Sequence, residues 1–369
     1  MMAGIIDTKF KKKGYNKNLI FKYKIATYCL KSYFIFVLII AYILSFNKTK
    51  TSSKRKFRKR IYQNQIKSNA KNRTNITRIE NNHHIINKTN YQYFCCFCAI
   101  GREENRYSRE LISYYLGLGV EKFVFGDNNL PNTEKLADVL QDYIKNGTVD
   151  IIDINDTAIN QAYFYGIVYE KYKQKCNWLT FFDFDEYLYM ESENGTKLNL
   201  REYLNLPTYD QCEAIIFNWL MYGDNELVHY DNRTSIVRFT RPDYNNYANR
   251  FVKTIVRGNL SKAFGIGSSI HLSNREIKKC NSLGKTPRYY PDSQVPPVHQ
   301  NAYIMHFNTR TAEEYVKKIR KGSPGGFKFD VNERVNLFFI HNRFTKEKLK
   351  VFEEAFNKTF SGVGNRPGI

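Results

Sequence analysis

Two aspartates one residue apart, Asp183 and Asp185, stand in the otherwise apolar segment 178–190, WLTFFDFDEYLYM. Such a segment predicts a buried strand, and buried carboxylates are costly unless cations or hydrogen-bond donors meet them. Residues two apart on a strand face the same side, so both carboxylates would converge while Phe184 points into the core. Two like charges this close repel unless a divalent ion bridges them. The spacing therefore predicts a metal site.

The segments around this pair alternate between strand and helix patterns. Strand-like runs occupy 91–100, 122–127, 148–156 and 178–185. Helical patterns lie between them at 109–118, 133–147 and 158–176, the second with Thr133 as its N-cap. This alternation predicts an α/β fold, a mostly parallel sheet with helices on both faces.

Acidic residues follow three of these predicted strands. Asp127 and Asn128 end the second strand, residues 153–156 end the third, and Asp183 and Asp185 end the fourth. Ligands of parallel sheets bind at the carboxyl ends of the strands, so a site for a cation or a sugar nucleotide is expected there. The alternative for the first two ends is ordinary turn chemistry, which favours Asp and Asn.

The first ninety residues predict a membrane anchor and a stem. Residues 25–46 carry one charge, Lys31, and are long enough to span a bilayer. A long basic lead, 1–24, and the lack of a small-residue cleavage site favour an uncleaved signal-anchor over a cleaved signal peptide. The flanks carry equal numbers of basic residues, so the orientation stays open. Residues 47–90 are polar and read as a stem before a folded domain, 91–369.

The formal charge of +22 would suggest nucleic-acid binding if it covered a folded face. It is concentrated beside the apolar segment instead, with eight lysines in 9–31 and eight Lys or Arg in 48–60. No nucleic-acid recognition module is recognisable, so we expect no nucleic-acid partner. The hydrophobic content of 42% is sufficient for a folded core.

The seven cysteines do not form a metal-binding pattern. Cys95, Cys96 and Cys98 form a CCxC run on a predicted strand, which is not the CxxC knuckle of a zinc site, and they are expected to be buried small hydrophobes. Three later cysteines could include one disulfide if the domain is lumenal: Cys176, Cys212 and Cys280.

Several blocks in order, over about 93–355, resemble the GT-A glycosyltransferases that use nucleotide-diphospho-sugars, more narrowly their family 92 and family 2-like branch. They are GREENRYSRELISYYLGLGV, FGDNN, QAYFYGIVYEKYKQKCNWLTFFDFDEYL, NWLMYGDN, MHFNTRTAEEYVKKIRKG and FFIHNRFTKEKL. The first block departs from the family, with 102–104 reading REE and 110–111 reading EL, although the acidic residues are kept.

The resemblance implies a set of binding residues. Asp183 and Asp185 would bind Mn²⁺ or Mg²⁺, and His306 would be the third ligand, although a core histidine on a strand is the alternative. His271 is a second candidate that would instead line the acceptor site. The residues expected to contact the sugar nucleotide are Glu104, Asp127, Asn128, Arg310 and Lys317, the last two with a solvated helix face as the alternative.

The implied reaction is displacement at an anomeric carbon, with the metal stabilising the departing diphosphate. Inversion needs a carboxylate to accept the acceptor's proton, and Asp224 and Glu186 are the candidates. Trp219 and Tyr222 would form an aromatic wall against one face of a sugar. The alternative is that both are ordinary residues of the hydrophobic core.

We therefore expect a membrane-anchored, metal-dependent, inverting transferase that moves a sugar from a UDP-linked donor to a glycan acceptor. In a eukaryote it would face the lumen of the Golgi or the endoplasmic reticulum. One alternative is a glycan-binding relative without activity. The other is a nucleotidyltransferase, although GREEN supplies only one glycine for a phosphate loop.

Overall fold

The computed structural model describes residues 91–154, 161–258, 260, 277–287, 289–290, 293–322, 329–361 and 363. The predicted tail, membrane anchor and stem lie outside these residues, as do Asp156 and His271. In the described part of the chain, no helix combines the length and the apolar character needed to cross a bilayer.

The strands are β1 (Tyr93–Gly101), β2 (Lys122–Asp127), β3 (Val149–Asp153), β4 (Cys176–Phe181), β5 (Glu186–Met190), β6 (Ala214–Tyr222), β7 (Pro242–Asp243), β8 (Val252–Arg257), β9 (Lys279–Asn281), β10 (Tyr289–Tyr290), β11 (Ser293–Gln294) and β12 (Ala302–His306). The helices are α1 (Asn105–Gly117), α2 (Leu136–Val139), α3 (Gln141–Lys145), α4 (Gln161–Tyr172), α5 (Leu200–Leu204), α6 (Ser235–Arg238), α7 (Ala312–Lys321), α8 (Val331–His341) and α9 (Lys346–Phe356).

A ten-stranded mixed sheet organises the domain, in the order β3-β2-β1-β4-β8-β6-β12-β5, with β7 and β9 also paired to β6. Strands β1 to β4 are parallel, as predicted. Beyond them, β8 runs antiparallel to β4 and β6, and β5 runs antiparallel to β12. In this second half β6 runs parallel to β12 and to β9. The prediction of a mostly parallel sheet therefore holds fully for β1 to β4 and only in part beyond them, because the regular alternation of strands with long helices ends at β4.

Both faces of the parallel half are buried. Along β1, Cys95, Phe97 and Ala99 belong to one core cluster, while Cys96 and Cys98 belong to the other. This period of two is the side-chain alternation of a strand. Because each face is covered, the run reads as continuously apolar in the sequence.

Asp183 and Asp185 lie on the turn between β4 and β5, which corrects the prediction that they stand on a strand. Strand β4 ends at Phe181 and β5 begins at Glu186. The Glu186 N–H donates to Asp183 O at 3.2 Å, and the Asp183 N–H donates to Glu186 Oε2 at 2.9 Å. Phe184 is buried as expected, so close to Gly101 that a Cβ there would lie 2.8 Å from its ring.

The helix predicted over 133–147 is two short helices, α2 and α3. Leu136 N–H donates to Asp127 Oδ2 at 2.7 Å, which starts α2 there and not at Thr133. Thr133 donates its hydroxyl to Leu130 O instead. The backbone then leaves the helical conformation at Leu140, whose φ is −120° and ψ is 19°.

Four of the described cysteines form two disulfides, Cys96–Cys176 and Cys212–Cys280. The second was among the expected combinations, whereas Cys96 is not the simple buried hydrophobe that its spacing suggested. Cys95 and Cys98 are free and buried, and burial raises the pKa of both thiols.

A buried ion pair fastens α7 to the rest of the domain. The Arg238 guanidinium donates to both Glu314 oxygens at 2.7 and 3.0 Å, and the two side chains are 0% and 1% exposed. Tyr107 of α1 and Thr311 also donate hydroxyl groups to Glu314, each at 2.7 Å. This carboxylate therefore joins segments about 200 residues apart in the sequence.

We expect the two free thiols to be inert in the folded protein because they are buried and their pKa values are raised. Alkylation of the native chain without reductant, followed by peptide mass spectrometry, should leave Cys95 and Cys98 unmodified. Unfolding without reductant should then expose these two, while the paired cysteines stay protected. Free thiols at the paired positions would contradict the assignment.

The substitution Glu314→Gln should destabilise the domain by about 3 kcal/mol, because it removes the nearer ionic partner of the buried Arg238 and leaves only Asp231, 3.8 Å from Arg238 Nε. Urea unfolding measures this loss. The control Glu354→Gln removes an exposed carboxylate, 66% exposed and 3.4 Å from Lys350, and should leave the midpoint nearly unchanged. Equal midpoints for both variants would contradict a structural role for the buried pair.

The same pair predicts a loss of stability in acid. Burial opposes ionisation, but Arg238, Arg310 and Tyr107 outweigh it and lower the pKa of Glu314 to about 2. A lowered native pKa gives stability that is complete above the unfolded value of 4.5 and lost as the pH falls towards 2. Unfolding measured from pH 5 to pH 2 should show a smaller decline for Glu314→Gln than for the unmodified chain.

Candidate active site

Asp183 is held by a buried lysine from the neighbouring strand. Lys253 of β8 donates to Asp183 Oδ2 at 2.8 Å and lies 3.3 Å from Glu186 Oε2, and its side chain is 7% exposed. Gln161 of α4 donates to Asp183 Oδ1 at 2.8 Å. Burial alone would lower the pKa of Lys253, but the two carboxylates raise it, so the lysine stays charged.

Asp185 has a different set of partners. Lys318 of α7 donates to Asp185 Oδ2 at 2.9 Å, and His306 Nε2 lies 3.5 Å from Asp185 Oδ1. Burial opposes ionisation, but Lys318 and His306, together with Arg310, hold the pKa of Asp185 well below its usual range. Asp185 is therefore an ionised carboxylate next to an imidazole.

His306 is a buried histidine at the end of β12. Its ring lies 4.3 Å from the Trp219 ring, measured between centroids. Burial lowers its pKa, and Asp185 only partly opposes this, so the neutral imidazole is favoured. Its Nδ1 is buried without a hydrogen-bond partner among the residues that the structure describes.

A second carboxylate, Glu104, is paired with two cations. Arg310 Nη1 lies 3.2 Å from Glu104, and the Lys321 ammonium also donates to it. Burial alone would raise the pKa of Glu104, but Lys321 and Arg310 lower it by more, so the net shift is downward and the carboxylate is ionised. The Arg310 guanidinium stacks 3.4 Å from the centroid of the Tyr107 ring, and its backbone φ of 51° is left-handed. Left-handed non-glycine residues are uncommon and concentrate at functional sites.

A cavity of about 290 Å³ opens beside these residues at the carboxyl ends of β1 and β2. One wall follows β1 and β2 with Glu103, Glu104 and Asn129. The other wall comes from α7 and the residues before it, including Asn308, Arg310, Thr309, Lys317, Lys318 and Lys321. The second wall is strongly cationic, which suits an anionic ligand.

The other three residues predicted to contact the nucleotide are already engaged by partners within the protein. Both Asp127 oxygens accept backbone N–H groups, from Asn129 at 2.9 Å and Leu136 at 2.7 Å. Asn128 is buried, and its side-chain oxygen accepts from Arg102 at 3.3 Å. Lys317 lines the cavity but also pairs with Glu313 at 3.3 Å and is 51% exposed.

Each of the two candidate bases is buried beside a lysine. Asp224 is buried and lies 2.6 Å from the equally buried Lys348 of α9. Burial raises its pKa, and Lys348 opposes the rise. Glu186 is fully buried beneath the turn. Burial raises its pKa to about 8; Asp183 and Asp185 add to the rise, and Lys253 opposes it. A base role for either carboxylate stays a prediction.

The ligand atoms of Asp185 and His306 are of the types that bind a divalent cation, although the third predicted ligand, Asp183, does not face them. Asp185 and His306 supply an ionised oxygen and a neutral nitrogen, which suit Mn²⁺. Asp183 faces Lys253 and Gln161 instead. In the described ranges no three His, Cys, Asp or Glu side chains cluster closely enough to hold a metal by themselves. A cation here would need further oxygen ligands.

Sequence reasoning missed the lysines that meet the carboxylates. It selected Lys317, whereas Lys318 contacts Asp185 and Lys321 contacts Glu104. The signal was present in the helical spacing, since residues 314, 318 and 321 lie on one face of α7. Lys253 gave no such signal, because its role depends on β8 pairing with β4.

Comparison with known proteins places the chain among transferases. Residues 91–359 match the model of glycosyltransferase family 92. The galactan β-1,4-galactosyltransferase GALS1 of Arabidopsis thaliana is 26% identical over 224 residues, covering 57% of this chain. The chain spans 44% of the length of that relative.

Structures of S. aureus TarS are similar at low levels. The match to TarS covers 73% of this chain and 44% of the TarS chain, with 12% identity and a TM-score of 0.32. TarS 1–349 in complex with UDP covers 71% of this chain and 81% of its own, with 11% identity and a TM-score of 0.32. The family match spans most of the chain, including every described element of the sheet, and the chain belongs to glycosyltransferase family 92.

Proposed function

We propose that this protein transfers a sugar from a nucleotide-diphospho-sugar, UDP-linked, to a glycan acceptor on a GT-A type of scaffold. The observation that carries the proposal is the cationic wall of the cavity at the carboxyl edge of the sheet, formed by Arg310, Lys318 and Lys321. That edge is where α/β sheets bind nucleotides. Membership of a glycosyltransferase family supports the same reading.

The donor would lie with its diphosphate against this wall. Lysine and arginine groups recognise phosphate oxygens by charge-assisted hydrogen bonds. Arg310 is held in place by Glu104 and by stacking on Tyr107, so its guanidinium is oriented before a ligand binds. Preorganised charge of this kind stabilises a departing diphosphate without reorganisation during the reaction.

A divalent ion would be held by Asp185 and His306, with Asp183 as the further predicted ligand. When bound, such an ion supplies Lewis-acid stabilisation of the diphosphate leaving group. The chain's own contribution is to keep Asp185 ionised and His306 neutral, the protonation states that metal ligands need.

Transfer with inversion would require a carboxylate to accept the proton of the acceptor hydroxyl. Asp224 and Glu186 remain our candidates. For Asp224 to act, the Lys348 ammonium at 2.6 Å would have to release it. For Glu186, the raised pKa of about 8 means that the carboxyl is largely protonated at neutral pH, so the ionised form that can accept a proton predominates only above about pH 8.

We also propose that residues 25–46 anchor the enzyme in a membrane as a single span, with the catalytic domain in the lumen of the secretory pathway. The two buried disulfides support this location, because disulfides form and persist in oxidising compartments.

The substitution Asp185→Asn should reduce UDP release from the preferred UDP-sugar at least about 100-fold, because it removes the charged ligand at the diphosphate end. The assay uses the purified full-length chain with excess Mn²⁺ and a panel of UDP-sugars that begins with UDP-galactose, the sugar named by the similar plant enzyme. Asp142→Asn is the control, an exposed aspartate paired with Arg109 outside the cavity.

Full activity of Asp185→Asn would contradict the placement of the site. Binding of UDP without turnover by the unmodified chain, for every UDP-sugar and acceptor offered, would favour the alternative of an inactive glycan-binding relative.

A further inference from the structure

Three oxygen atoms surround the Lys318 ammonium on the wall of the cavity. Its Nζ donates to Asp185 Oδ2 at 2.9 Å and to the Asn308 backbone oxygen at 2.8 Å, and it also donates to Asn308 Oδ1. A carboxylate, a backbone carbonyl and an amide oxygen are the ligand types that hard divalent cations take from proteins. We call these three atoms the oxygen cage.

The two lysines that neutralise the paired aspartates differ in accessibility. Lys253 is 7% exposed, bridges Asp183 and Glu186, and belongs to the central sheet. Lys318 is 32% exposed, lies on a helix and lines the cavity. Lys253 is therefore a fixed structural counter-ion, whereas Lys318 can leave its carboxylate by side-chain rotation into the cavity.

We propose that the oxygen cage is a cation site in which the Lys318 ammonium and a divalent ion exclude each other. Once displaced, Lys318 binds the diphosphate of the nucleotide in the adjoining cavity. The inference rests on the proposed function, because that function supplies the diphosphate. It adds Asn308 to Asp185 and His306 as a ligand of the ion and gives Lys318 two alternating partners.

Exclusion follows from the contacts of the cage. A divalent ion bound by Asp185 Oδ2 and the Asn308 oxygens would occupy the position of the ammonium. The two cations cannot share these oxygens, because like charges in contact with the same ligands repel strongly. His306 Nε2, 3.5 Å from the other Asp185 oxygen, remains on hand for the ion. The ammonium thus holds the Asp185 carboxylate in place by a hydrogen bond when no ion is bound.

The exchange couples the ion to the nucleotide. An ion that binds alone must displace Lys318 and leave it without an anionic partner. When a diphosphate is present, the displaced lysine gains one, beside Arg310 and Lys321 on the same wall. Each ligand therefore raises the affinity of the other, and by linkage the factor is the same in both directions.

The test is Mn²⁺ binding to the purified full-length chain, followed by the electron paramagnetic resonance signal of free Mn²⁺ with and without UDP. Without UDP, Lys318→Met should bind Mn²⁺ about fivefold more tightly than the unmodified chain, because the competing ion pair is gone. The factor by which UDP tightens Mn²⁺ binding should fall by about the same amount. Lys350→Met, which removes an exposed lysine paired with Glu354, should change neither quantity.

Unchanged or weaker Mn²⁺ binding by Lys318→Met would overturn the proposal, as would the absence of Mn²⁺ binding by the unmodified chain. Labelling of lysines with acetic anhydride provides a readout without mutation, quantified by peptide mass spectrometry with Lys350 as the internal standard. Mn²⁺ alone should increase the labelling of Lys318, and Mn²⁺ with UDP should protect it again. Labelling indifferent to Mn²⁺ would contradict exclusion.

UDP release from UDP-sugars is measured in parallel and separates the two claims. If no sugar is turned over but Lys318→Met still binds Mn²⁺ more tightly, the proposed transferase activity fails and the oxygen cage stands. If turnover is found and the Mn²⁺ affinities are equal, the activity stands and the exclusion fails.

Discussion

The carboxyl edge of the sheet must neutralise four carboxylates that lie mostly out of water, Glu104, Asp183, Asp185 and Glu186. Unpaired charges in such a place would cost several kcal/mol each. Each of the four has a cation within 4 Å, and Glu186, which shares Lys253 with Asp183, still has a raised pKa because it is fully buried. Charge compensation at this edge is therefore the constraint that decides which elements must pack around it.

That constraint explains why the C-terminal helices are part of the site. Helix α7 brings Lys318 to Asp185 and Lys321 to Glu104, about 130 and 220 residues away in sequence. Its own position depends on Glu314, which lies one turn before Lys318 on the same face of the helix and is buried against Arg238. A structural ion pair thus sets the geometry of the cations that face the cavity.

The sequence was informative where the pattern is local. The alternation of strands and helices predicted β1 to β4, and the acidic strand ends pointed to the edge of the sheet at which the cavity opens. The prediction failed at a local turn hidden in an apolar run, where Glu186 closes the turn that carries the aspartates. It also failed where long-range pairing decides, since Cys96 pairs with Cys176, 80 residues away. Helix spacing could have identified Lys318 and Lys321, whereas Lys253 becomes visible only once β8 is paired with β4.

The central claim is that Asp185 and its neighbours hold the cation that positions the nucleotide. Crystals of the protein grown with Mn²⁺ and UDP, measured at the manganese absorption edge, test it most directly. We expect an anomalous peak bound by Asp185, His306 and Asn308, with the Lys318 ammonium moved from Asp185 onto the diphosphate. A manganese peak elsewhere, or Lys318 still on Asp185 beside a bound ion, would contradict it.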